Sequence, residues 1–316
     1  MKTSCIINNY NYGSFVVDAV KTAIDQSVKF DEIIIVDDCS TDQSVQLIKE
    51  NFSDNPQIKL ILKQKNEGQL SAFNEGYLAA TGDIIFFLDS DDLYQDTYLE
   101  EALNFYKNNQ NCDFLFCAYE NFAESSGESS RPKHDSIGVF KQYDRDRDLG
   151  YSVVLTLYSP KWIGAITSTI SMTRKTAGKF LPLPFLEDWR GRADDCLLWG
   201  AALVGARRFY MAKPLVRRRL HGNNYVIKEI KNKENISYFY QRSLNINRLF
   251  EHIRTKLNYS SDLAGFAPIE FRTIPNPTKE EFKFYVKIVL TSTQIIWFQK
   301  IGKIRFMLTH FLRNRE

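Results

Sequence analysis

Asp89-Ser90-Asp91 sets two carboxylates two residues apart at the end of the apolar run Ile84-Ile85-Phe86-Phe87-Leu88. Where a buried strand ends and the backbone turns, both can face one open edge. Hard oxygen ligands of this kind suit Mg²⁺ or Mn²⁺, which leave positions open for water or phosphate oxygens. Asp37 and Asp38 follow a second apolar run, Ile33-Ile34-Ile35-Val36. A carboxylate there either accepts from a ribose hydroxyl or the N3–H of a uracil ring, or closes an Asx-turn leading into Ser40-Thr41-Asp42. Tyr10, in Asn8-Asn9-Tyr10-Asn11, either stacks on a base or is a half-buried core tyrosine. Asp194-Asp195 opens a segment with Leu197, Leu198, Ala201 and Ala202 at helical spacing. Apolar surroundings raise a carboxylate pKa, as a general base requires, while the plainer role for one of the pair is a helix cap. His221 stands beside a Gly222-Asn223 turn, and Arg217, Arg218 and Arg219 form either contacts to an anionic ligand or a solvated strand face.

These groups need elements to hold them. Ser4-Cys5-Ile6-Ile7, Ile33 to Val36, Leu60-Ile61-Leu62, Ile84 to Leu88 and Phe114-Leu115-Phe116 read as five strands, the second β-branched throughout. Between them, helical periodicity marks segments near residues 15–24 (capped by Ser14), 42–48, 68–80 and 96–107. Strand–helix alternation of this kind predicts an α/β fold, with a Rossmann-like, mostly parallel sheet flanked by helices. Ligands of such sheets sit beyond the carboxyl ends of the strands, where three ends here carry Asn8 to Asn11, Asp37-Asp38 and Asp89 to Asp92. From about Asn121 to Asp148 the chain turns polar, with Glu124 to Ser130 reading as a loop or hairpin tip. Beyond His221 it is helical in character, interrupted near Pro268 and Pro275 to Pro277.

Five strings then fall in one order and spacing: Ser4 to Asn11, Glu32 to Asp42 (EIIIVDDCSTD), Asn66 to Gly76 (NEGQLSAFNEG), Ala79 to Asp92 (AATGDIIFFLDSDD) and Arg219 to Asn224 (RLHGNN). In these the chain resembles the family 2 glycosyltransferases of the GT-A fold. The resemblance implies a catalytic domain over residues 1–225, with a nucleotide-binding part at 1–110 and an acceptor-side part at 111–225. A helical C-terminal extension over 226–316 lies outside it. It implies that Asn8, Tyr10 and Asp38 hold the base and ribose, that Gly68 lies in the loop approaching the nucleotide, and that Asp89 faces the ribose–diphosphate region. Asp91 aligns with the metal ligand for Mn²⁺ or Mg²⁺, and His221 with a histidine at the metal or diphosphate. Asp195 aligns with the general base and Asp194 with the acid before it; Glu187-Asp188 is a second acidic pair of that kind. Trp162, Trp189 and Arg190 fall on the acceptor side, and Arg219 is a candidate diphosphate contact. Two positions depart from the family: Cys39 stands where it has Gly, and Phe73 where many members carry Arg.

Composition narrows the function classes. The 316 residues carry 41 Lys+Arg against 38 Asp+Glu, a net +3 that does not mark a dedicated nucleic-acid binder. No GxGxxG follows the first strand, which weakens a dinucleotide-dependent oxidoreductase. Five cysteines without a CxxC pair read as reduced thiols of a cytoplasmic protein, and no apolar stretch reaches the roughly 18–20 residues of a bilayer span. Between Lys283 and Glu316 seven basic residues face one acidic one, 7 − 1 = +6, among many large apolar residues. That segment is either a basic amphipathic anchor lying on the inner membrane face or a tail packed on the catalytic domain or a sister subunit. The expected activity is inverting transfer of a sugar from a nucleotide donor, UDP-linked, to a glycan or lipid-linked acceptor in cell-surface polysaccharide synthesis. The alternative is a catalytically inactive nucleotide-binding scaffold in a polysaccharide assembly complex.

Overall fold

The computed structural model describes residues 1–124, 134–159, 163–164, 166–221, 236–260 and 262–314. Trp162, Gly222 to Asn224 and Ser125 to Ser130, singled out above, lie outside the described residues. Four parallel strands form one side of a ten-stranded sheet, in the order β3 (Ile58–Leu62), β2 (Glu32–Asp37), β1 (Thr3–Asn9), β4 (Ile84–Asp89). Their apolar residues are buried on both faces in β1, β2 and β4, as the unbroken Ile/Val/Phe runs require. Helices α1 (Gly13–Ile24), α2 (Ser44–Phe52) and α3 (Gln69–Ala79) connect them. Gly76 lets α3 settle on β1, because a Cβ there would stand 2.4 Å from Ile6 Cγ2.

Past β4 the sheet changes character. The short β5 (Leu93–Tyr94) and helix α4 (Tyr98–Asn108) lead to β6 (Phe114–Glu124), which does not pair with β4. Strand β9 (Ile170–Thr173) is inserted between them and runs antiparallel to both. The long β10 (Arg208–Arg219) runs parallel to β6, while β7 (His134–Phe140), β8 (Arg147–Gly150) and β5 pair antiparallel along this half. Helices α5 (Val153–Tyr158), α6 (Arg174–Ala177) and α7 (Asp194–Leu203) complete it. Helix α8 (Ile236–Lys256), α9 (Ala267–Phe271), α10 (Lys279–Thr291) and α11 (Trp297–Asn314) follow, with a small second apolar cluster built around Phe271, Tyr285 and Met307.

One local detail differs from the expectation. Ser14 does not cap α1; the Asp42 carboxylate accepts from Gly13 N–H (2.9 Å) and from Ser44 N–H (2.9 Å), so one side chain closes the starts of both α1 and α2. Cys39 sits at φ 65°, in the left-handed region, which accounts for glycine being the easier residue at that turn. All five cysteines are unpaired, and Cys39 alone is not buried.

Candidate active site

Register brings the polar strand ends together. Asn8 pairs with both Val36 and Asp89, and Asn9 with Asp37, so the loops after β1, β2 and β4 emerge side by side. They open into a cleft of about 680 Å³ lined by Asn8, Tyr10, Asp38, Gly68, Asp89, Asp91, Arg190, Asp194 and Arg218, among others. Tyr10 is exposed at the wall, whereas Asn8 Oδ1 is buried and makes no hydrogen bond among the described residues.

Asp37 and Asp38 have separate work. Asp37 is spent on the loop: it accepts from Asn9 Nδ2 (2.7 Å), Ser40 Oγ (2.7 Å) and Ser40 N–H (2.8 Å). Asp38 lines the cleft, where Lys63 Nζ (2.6 Å) and the amides of Gly68 (2.6 Å) and Glu67 reach it. Gly68 is required at its place. It takes φ 88°, and an added Cβ would stand 2.4 Å from Arg190 Cα. Gln69 N–H donates to the Arg190 carbonyl in the same contact (3.0 Å), so the two walls touch here through backbone.

Asp89, Asp91 and Asp92 each offer an oxygen within 4.8 Å of the others. Burial, then the Asp91 charge, pushes the Asp89 carboxyl up to about 7, and the same causes push Asp92 well above the usual carboxylate range. Crowding of negative charge in hard oxygen donors is what a divalent cation relieves, so the residues fit Mg²⁺ or Mn²⁺. Asp91 Oδ2 lies 2.9 Å from His221 Nε2, and the His221 ring packs against Tyr12 and Phe15. Asp92 is held from behind: Ser168 Oγ donates to one oxygen (2.6 Å) and Arg219 N–H to the other (3.1 Å).

On the facing wall Asp194 and Asp195 separate again. Asp194 lines the cleft, and burial together with the Asp195 charge pushes its carboxyl up to about 7. Asp195 is fully buried and turned from the cleft, in an ion pair with Arg242 of α8 (2.6 Å) and beside Arg192 (3.6 Å). Gln69 ties the walls together, donating to Asp89 (2.9 Å) and accepting from Ala193 N–H (2.9 Å) at the start of α7.

Three residues singled out in the sequence lie elsewhere. Arg219 is buried behind the acidic cluster, its guanidinium between the rings of Phe15 and Phe122, donating to the Asp91 carbonyl (3.0 Å). Alternation along β10 puts Arg217 and Arg219 over Phe122 and sends the intervening Arg218 into the cleft. Trp189 is buried away from the main cleft, beside a smaller hollow against α8, while Arg190 stays on the cleft wall and hydrogen-bonds Asn66. Phe73 is a core residue packed on Phe87, which leaves no cleft role at that position. Gln69 and Ser168 are not singled out by the sequence; a Gln at a helix start and a Ser between two threonines carry no local signature of a role across the chain.

The model of the family described as Glycosyl transferase family 2 matches residues 4–171. The sequence is 28% identical to an uncharacterized glycosyltransferase of Nostoc sp. over 230 residues, 71% of this chain and 66% of that protein. It is 34% identical over 121 residues to the putative teichuronic acid biosynthesis glycosyltransferase TuaG of Bacillus subtilis, covering 38% of this chain and 48% of TuaG. The matches thus span between 48% and 66% of these curated relatives' own length. The crystal structure of S. aureus TarS in complex with UDP shares the fold, with a TM-score of 0.55 at 16% identity, covering 98% of this chain and 89% of that one.

Proposed function

The chain belongs to glycosyl transferase family 2, and from that premise we propose that it is an inverting, divalent-cation-dependent transferase. It moves a sugar from a UDP-linked donor to a hydroxyl of a glycan or lipid-linked acceptor, in cell-surface polysaccharide synthesis on the cytoplasmic side of the membrane. The observation that carries this reading is one cleft that collects a three-carboxylate cluster on one wall and a carboxylate pushed up to about 7, Asp194, on the other. Support for the donor and the pathway comes from TarS, solved with UDP and with UDP-GlcNAc, and from TuaG, the minor teichoic acid biosynthesis protein GgaB and a chondroitin synthase among the relatives. Among the described residues no helix is long and apolar enough to cross a membrane.

In this reading Asp89, Asp91 and Asp92 would hold Mn²⁺ or Mg²⁺, with His221 bracing Asp91. The bound cation supplies charge neutralisation for the departing diphosphate. Tyr10 stacks on the base, Asn8 and Asp38 bind the nucleoside, and Asp38 accepts from ribose hydroxyl or from uracil N3–H, a donor that cytosine lacks. Gly68, packed on the Arg190 backbone, brings its loop up to the nucleotide, and Arg218 rather than Arg219 contacts the diphosphate. Asp194, rather than Asp195, takes the proton of the acceptor hydroxyl as that oxygen attacks the anomeric carbon from the face opposite the leaving group. Arg190 borders the acceptor. Residues 1–225 make the catalytic domain, divided near residue 110, and residues 226–316 the extension that braces it through Arg242.

Thermal stabilisation by UDP, GDP, CDP and dTDP, each with and without Mn²⁺, tests the reading. UDP with Mn²⁺ gives the largest shift, and Asp91→Asn removes the Mn²⁺-dependent part. Equal shifts from all four nucleotides, or an Asp91→Asn protein that responds to Mn²⁺ as the parent does, would refute it. A parent protein that binds the UDP-sugar but neither hydrolyses nor transfers it would instead be the scaffold.

A further inference from the structure

We propose that the outward face of α11 docks this chain on an anionic lipid surface. A helix on the surface of a water-soluble fold turns its apolar residues in and its polar residues out. Helix α11 is built differently. Trp297, Ile301, Leu308 and Leu312 recur at i, i+4, i+11 and i+15, a single stripe, and all are exposed; Trp297 is 66% and its neighbour Phe298 75% accessible. The opposite face is fastened to the protein. Met307 is buried, Phe311 stacks on Phe282 at 5.0 Å, and His310 Nε2 lies 2.9 Å from the Ile274 carbonyl. Two of the helix's cations are drawn into that seam, Lys300 Nζ donating to the Leu290 carbonyl (2.7 Å) and Lys303 Nζ to that of Gly265 (2.9 Å). Two cations that would otherwise solvate the outside are thereby drawn inward, and the exposed surface sets the apolar stripe beside Arg305 and Arg313.

Charge selects the occupant. From residue 282 to residue 314 the chain has six Lys or Arg and no Asp or Glu. Lys283, Lys287, Arg305 and Arg313 are exposed. An isologous contact with a second copy would set these cations against one another across the two-fold axis. An anionic membrane accepts both features: the apolar stripe enters the headgroup boundary, the indole of Trp297 sits at the interface, and the cations meet lipid phosphates. The helix then lies in the plane of the surface.

The test is co-sedimentation of the full chain with vesicles of phosphatidylcholine alone and of phosphatidylcholine mixed with phosphatidylglycerol, at low and high salt. The parent protein pellets with the anionic vesicles, less so at high salt, and stays in solution with the neutral ones. Trp297→Ser combined with Phe298→Ser lowers the partition coefficient about tenfold or more. Arg305→Gln lowers it roughly fivefold at low salt and reduces the salt dependence. A parent protein that ignores anionic vesicles, or a Trp297→Ser, Phe298→Ser protein that binds them as tightly as the parent, overturns the proposal. So does a parent that is dimeric by light scattering, becomes monomeric with those two substitutions and leaves the vesicles unbound, since the face would then belong to a second copy.

Discussion

Asp37-Asp38 at the end of β2 and Asp194-Asp195 at the start of α7 are both adjacent acid pairs in which one member faces the cleft and the other braces it. They do so in opposite order. After the strand the first acid is the brace and the second is free to face the cleft; at the helix the first faces the cleft and the second is buried. The bracing also differs in kind. Asp37 is held by neutral donors, Asn9 and Ser40, whereas Asp195 is held by the guanidinium of Arg242 with Arg192 beside it. A strand end can satisfy its brace from its own loop. The helix start borrows cations, one of them from α8, more than forty residues further on, and so couples the facing carboxylate to the C-terminal helices.

The largest effect should come from Asp194→Asn. In the proposed role of base it would contribute about 10²–10⁴-fold, so transfer falls by that factor while Mn²⁺-dependent UDP binding stays within about twofold. Transfer that survives in Asp194→Asn and disappears in Asp195→Asn, with both proteins folded, would invert the assignment. Next is Asp195→Asn itself, which takes the carboxylate from Arg242 and Arg192 and lowers unfolding free energy by about 3 kcal/mol in denaturant titration. It also moves a pH profile. With Asp194 pushed up to about 7, its basic form accumulates as pH rises, so kcat/KM climbs about tenfold per unit below that value and levels above it. Removing the Asp195 charge shifts this limb to lower pH. The folded-state shift is upward, so the stability that Asp194 contributes is full below the unfolded carboxylate pKa, about 4, and is lost as pH rises through about 7. The smallest effect belongs to Asp37→Ala: Asn9 and Ser40, neutral donors, lose their hydrogen bonds to the carboxylate, costing about 2 kcal/mol of stability with transfer in the folded protein reduced only severalfold.

Much of this arrangement was readable in the residues themselves. The β-branched and aromatic runs announced β1, β2 and β4, and the acids that follow them stand at the cleft because parallel strands bring their carboxyl ends to one edge. The orientation of neighbours was not readable. Successive residues point to opposite faces of a strand and about 100° apart on a helix, so Arg218 against Arg219, or Asp194 against Asp195, depends on how the element is rotated on the core. Nor does residue type reveal that Trp189 is buried, since a tryptophan serves either place. The insertion of β9 between β4 and β6 was hidden because Ile170-Ser171-Met172-Thr173 is too short to show a period, and its pairing is settled only by distant partners.

At Gly68 the main chain of one wall rests directly on that of the other, with no side chain between. A gap bounded in this way cannot be widened by exchanging residues: any larger group at position 68 forces the backbone apart rather than reshaping the opening. In the proposed function, changes in which sugar is accepted would therefore arise where side chains do line the cavity, such as Asn66 and Ile166, and attempts to redesign the donor preference should leave this contact alone and begin there.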